Sequence, residues 1–135
     1  MPRSAHEPPE TDTAVPGQGL ATLAESLYLV NLLLLPGLAF IALLIIYLRN
    51  IHTAPALAVC HLRQTLSASL WAGVLLLVAN SLIVLLGGYQ SPHTWMVVVL
   101  YFTTCHATLV LLGVLGLAKA LAGQCYRFPL VGRAL

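Results

Sequence analysis

Few residues in this chain have the chemistry to act on a ligand, and several of them share one stretch. Thr103, Thr104, Cys105, His106 and Thr108 lie in the middle of residues 95–118, a run of 24 residues with no formal charge. Imidazole combines metal coordination with a pKa near neutrality, so His106 is a candidate haem ligand, quinone contact or member of a proton path. The structural alternative is a neutral imidazole that hydrogen-bonds a facing helix, at Asn80 or at the Leu32 carbonyl freed by Pro36. That alternative ranks first, because no acid and no second histidine inside an apolar run completes a relay, and Met96 lies near the wrong end for a second haem ligand.

The second polar cluster is Cys60-His61-Leu62-Arg63-Gln64, which with Arg49 and His52 forms a basic rim next to an apolar run. Two arginines fall short of the four to eight basic residues that mark specific anionic-lipid recognition, so the rim reads as an ordinary membrane anchor. Three cysteines, Cys60, Cys105 and Cys125, make an odd number with no CxxC or Cys/His ligand spacing. The sequence therefore predicts neither a disulfide framework nor a metal site. No phosphate-binding glycine loop, G-x-S-x-G elbow, HExxH or paired carboxylate occurs, and no acid follows Glu25. With no catalytic set, the expectation is a protein that is not an enzyme.

The elements that hold these groups are apolar. Of the 135 residues, 59% are hydrophobic and 7% charged, against roughly a quarter charged in soluble domains. All four acids (Glu7, Glu10, Asp12, Glu25) precede the first apolar run, and five of the six basic residues follow it. That charge is too thinly spread for nucleic-acid binding. Residues 1–26 read as a disordered acidic, proline-rich tail. Residues 27–135 then form an all-α membrane domain with three transmembrane helices, over about 28–48, 66–87 and 95–118, each long enough to cross roughly 30 Å of hydrocarbon. Pro36-Gly37 should kink the first span. Gly87-Gly88 and Ser91-Pro92 should turn the chain after the second. Residues 51–64 make a connection with an interfacial helical turn starting after Pro55, where proline suits the first helical position, or a re-entrant helix.

Helical phase places small or polar residues on one face of each span: Asn31 on the first, Ser69, Gly73 and Asn80 on the second, Gly113 and Gly116 on the third. Such faces suit close helix packing. Arg49, His52, His61, Arg63, Lys119, Arg127 and Arg133 lie in the first loop and the C-terminal segment, whereas residues 88–94 hold no Lys or Arg. The positive-inside rule then puts that loop and the C-terminus in the cytoplasm and the N-terminus outside.

The C-terminal Gly123-Gln124-Cys125-Tyr126-Arg127-Phe128-Pro129-Leu130, together with His61-Leu62-Arg63-Gln64, resembles small bacterial inner-membrane proteins that are distantly similar to the twenty-kilodalton Tic subunit of the chloroplast envelope translocon. The resemblance implies a bacterial inner-membrane location and four spans in the chloroplast members, whereas hydropathy here predicts three. The expectation is an accessory or assembly subunit whose partners are lipids and other membrane subunits or itself. The rival is a redox or transport component using His106 with haem or quinone.

Overall fold

The computed structural model describes residues 14–129; the expected disorder of residues 1–13 and the rim position of Arg133 lie outside them. Four α-helices follow one another: α1 Gln18–Leu33, α2 Leu38–Asn50, α3 Ala56–Leu85 and α4 Pro92–Leu121, with a 3-10 turn at Gly88–Gln90. No strand occurs among the described residues.

The first apolar run breaks where Pro36 removes an N–H and Gly37 takes φ +90°. The loosened backbone finds new partners: Leu34 and Leu35 N–H donate to the Val30 carbonyl, and Gly37 N–H donates to Asn31 Oδ1 at 3.0 Å. The result is a fold-back, not the expected kink. Ala24 of α1, Leu43 of α2 and Leu62 of α3 form one buried cluster, flanked by Leu20, Leu27, Ile46 and Tyr47. In a continuous helix Ala24 and Leu43, 19 residues apart, would be about 28 Å from each other. Residues 28–48 therefore make a helical hairpin and not a single crossing.

Contacts along α1 fix its direction. Against α3 it runs parallel: a Cβ on Gly17 would meet Pro55 and Ala58, and Glu25 reaches His61 and Gln64. Against α4 it runs antiparallel, since Gln18 Nε2 donates to the Leu121 carbonyl at 2.6 Å and Tyr28 hydroxyl to that of Leu109 at 3.1 Å. The start of α1, the end of α2, the start of α3 and the end of α4 thus share one end of the bundle, called proximal here.

Both α3 and α4 have 30 residues, about 45 Å of helix, whereas α1 has 16, about 24 Å. The hairpin therefore covers mainly the proximal half. Beyond it, Leu70, Trp71, Leu77, Leu82, Val97 and Leu100 are exposed. These two helices are the ones long and apolar enough to cross a membrane, and only 11% of each apolar window is buried inside the chain. They are not mostly buried, as a core helix would be.

Two boundaries differ from the sequence reading. Helix α1 begins at Gln18, inside the expected tail, because residues 18–28 pack on α3 and α4. Helix α3 begins at Ala56, directly after Pro55 as expected, but the turn that starts there runs on unbroken through His61 to Gln64 into the second apolar run. The last described residues also fold back: Phe128 is 1% exposed, stacked 5.9 Å from Tyr28 and packed with Ala68.

The fold-back is tested by spin labels at the exposed positions 23 and 48 in a Cys105→Ser background. A continuous helix would place these backbones about 38 Å apart. The hairpin gives a far shorter distance, and a distribution centred near 38 Å would refute it.

Candidate functional site

The proximal end encloses a polar knot. Glu25 is 0% exposed, and its Oε1 lies 2.6 Å from His61 Nδ1 and accepts from Gln64 Nε2 at 2.9 Å. His61, also 0% exposed, uses Nε2 to donate to the Gln124 backbone carbonyl at 3.0 Å. A carbonyl can only accept, so Nε2 carries a hydrogen. Nδ1 then either accepts from a protonated Glu25 or donates, as imidazolium, to a carboxylate. In both states the pair holds one proton between Nδ1 and Oε1 and has no net charge. Burial pushes the Glu25 carboxyl above its ordinary value, opposed by the bonds from His61 and Gln64.

Space for this carboxyl comes from α4. A Cβ at Gly116 would lie 2.5–2.8 Å from the carboxyl atoms of Glu25, and one at Gly113 would lie 2.7 Å from Tyr28 and Leu29 atoms. Two glycines three residues apart therefore receive two large side chains three residues apart on α1, the close approach that small residues permit.

A disulfide joins Cys60 of α3 to Cys125, with Cα atoms 6.0 Å apart, within the normal range. This corrects the expectation of none. The odd count hid the pair, with Cys105 outside it. The bond holds residues 122–129 over the knot, where Lys119 Nζ also donates to Gln124 Oε1 at 3.0 Å. His61 is likewise corrected: it is buried, not part of the rim, while Arg49, His52, Arg63 and Arg127 are exposed at that end.

Farther along the bundle, a cavity of about 520 Å³ lies between the hairpin tip, α3 and α4. It gathers Asn31, Ser69, Gly73 and His106, which the sequence placed on three separate spans. His106 is exposed there and forms no hydrogen bond among the described residues; neither Asn80 nor the Leu32 carbonyl meets it. Asn80 instead serves the distal turn, donating to the Leu76 carbonyl and accepting from Tyr89 hydroxyl at 2.6 Å. Gly73 is not at a close contact, since a Cβ there would find no atom within 4 Å. Ser69 is 5% exposed, and its Oγ is buried without a partner.

Sequence reasoning missed Glu25 because it was counted with the tail. The signal available was the matching spacing of Glu25 and Tyr28 with Gly113 and Gly116. No family model, curated protein or solved structure matches the chain.

The two glycine environments separate in a stability measurement. Gly116→Ala should destabilise the detergent-solubilised protein by about 1–3 kcal/mol through overpacking on Glu25. Gly73→Ala, in open space on a helix, should be neutral or stabilising by up to about 1 kcal/mol. Equal melting temperatures for the two variants would contradict the close fit at Gly116.

Proposed function

We propose that this chain is a small integral protein of a bacterial inner membrane that acts as an accessory or assembly subunit, packing against other membrane helices. The observation that carries the reading is the uneven cover of α3 and α4. Their buried residues run from Ala58 to Ser69 and from Leu109 to Ala120, with Ala79 the exception beyond them. The remaining distal lengths expose apolar side chains together with the small residues Ser81 and Ala107, which lie outside the cavity. Lipid satisfies leucines, but small residues facing outward are what permit another helix to approach closely. The self-packed proximal half then serves as a rigid base for a distal docking face. The short motifs shared with the Tic-like bacterial proteins lend no activity to this reading.

In this proposal the hydrocarbon layer covers α3 from about residue 66 and α4 from about residue 95, with the hairpin entering from the proximal side and returning to it. Arg49, Arg63, Lys119 and Arg127 all lie at the proximal end and the distal turn has no Lys or Arg, which supports a cytoplasmic proximal end. Because α1 starts at that end, the N-terminal side is cytoplasmic too, unlike the outward tail expected for three crossings. The Cys60–Cys125 bond argues the other way, since disulfides are rare in a reducing cytoplasm. The four basic side chains outweigh it.

The rival redox or transport reading draws on the unpartnered imidazole of His106. No second histidine and no methionine lines its cavity, so a two-ligand haem clamp has little support, and the quinone branch is the one taken further below.

Photo-crosslinking in cells tests the docking face. A photoreactive residue at Leu77 or Leu100 should give a discrete protein adduct, and one at Leu38, exposed near the hairpin tip, should give lipid adducts alone. Lipid adducts alone at all three positions would overturn the accessory reading.

A further inference from the structure

We propose that the cavity between the hairpin tip, α3 and α4 binds a quinone dissolved in the bilayer, with a ring carbonyl held by Ser69 and His106. The cavity volume of about 520 Å³ lies within the roughly 300–1,000 Å³ usual for small-molecule sites. Its walls are mostly apolar, and Phe40, Tyr101 and Phe102 contribute aromatic rings of the kind that pack against a flat ring.

Two polar groups in it, Ser69 and His106, have no hydrogen-bond partner among the described residues. Ser69 Oγ is buried with no hydrogen bond, a state that costs about 1–3 kcal/mol when nothing relieves it. A serine in a helix usually relieves it by bonding a carbonyl one turn back, as Thr65 does to His61 at 2.8 Å; Ser69 does not. His106 adds a ring N–H that no described residue accepts. Asn31 uses Oδ1 for the Gly37 N–H, leaving its amide hydrogens to donate. Each of these groups can donate to an acceptor on the ligand, and the Asn31 amide hydrogens can do nothing else.

Charge and depth narrow the ligand class. Among the described residues no Asp, Glu, Lys or Arg lines the cavity, so none of them compensates an anionic or cationic head. His106 is 14 residues after Pro92 and 15 before Leu121, the middle of the 30-residue α4. Phospholipid headgroups stay near the ends of such a helix and bring only acyl chains to its middle. A neutral carbonyl at that depth belongs to a molecule that dissolves in the hydrocarbon itself, as a quinone with an isoprenoid tail does. Open space at Gly73 lets a ring approach the α3 backbone.

The test uses full-length protein in phosphatidylcholine nanodiscs titrated with decylubiquinone, read by quenching of Trp71 and Trp95. Wild type should show saturable quenching. Ser69→Ala and His106→Phe should each raise the midpoint about tenfold, and Gly73→Phe should abolish saturation by filling the cavity. Leu111→Ala, on an exposed position outside the cavity, should leave the midpoint unchanged. Decylbenzene, which has the tail and a ring but no carbonyl, should not compete. Size-exclusion elution checks that each variant is folded; if Gly73→Phe is not, the two side-chain variants decide. Linear quenching alike in wild type and variants, unchanged midpoints in both Ser69→Ala and His106→Phe, or full competition by decylbenzene would overturn the proposal.

Discussion

A carboxyl group removed from water needs partners that stay in place, and Glu25 draws its partners from three parts of the chain. His61 and Gln64 come from α3, and the cradle that admits the carboxyl is Gly116 of α4. Gln124, beyond α4, fixes the far side of the imidazole. Taking an ion into a protein interior costs several kcal/mol, and breaking a buried pair by removing one partner costs about 3–5 kcal/mol. The arrangement in which one proton lies between two groups avoids separated charges. It also makes the positions of α1, α3 and the C-terminal segment mutually dependent, since a shift of any one breaks a hydrogen bond of Glu25 or His61.

Apolar packing extends the same register. Three residues beyond Glu25, Tyr28 fills the space at Gly113 and donates to the Leu109 carbonyl, while Phe128 closes over its ring. Ala24, on the other face of α1, joins Leu43 and Leu62. One helix of 16 residues thereby contacts every other helix, and the cluster with Leu43 holds α2 beside it. Where α1 ends, cover for α3 and α4 thins, and the cavity with Ser69 and His106 opens at that boundary.

Local signals in the sequence were informative wherever local chemistry decides the outcome. Residues 66–87 and 95–118 read as apolar helices, and they fall within or close to α3 and α4. Gly87 and Gly88, both at positive φ, and Pro92 in the first turn of α4 end one helix and start the next as expected. Pro36-Gly37 announced a break, yet a kinked crossing and a fold-back share that signature. What selects the fold-back is Ala24 meeting Leu43 and Leu62, which depends on residues far away in sequence. Glu25 was misplaced for a similar reason: a lone acid beside an acidic tail looks solvated until Gly116 and His61 are seen around it. Cys60 and Cys125, 65 residues apart, meet only because the chain returns after α4.

The hairpin also constrains the order in which the protein can be made. Residues 28–48 are synthesised before any of α3 or α4 exists, and their hydropathy alone is that of a membrane span. The groups that hold α1 beside α3 and α4 arrive later, His61 first, then Gly113 and Gly116, and finally Gln124 and Phe128 near the end of the chain. An insertion machinery that committed each apolar run as it emerged would fix the wrong topology. Formation of this fold therefore requires that the first run stay free to pair until Gly116 and Gln124 have been made.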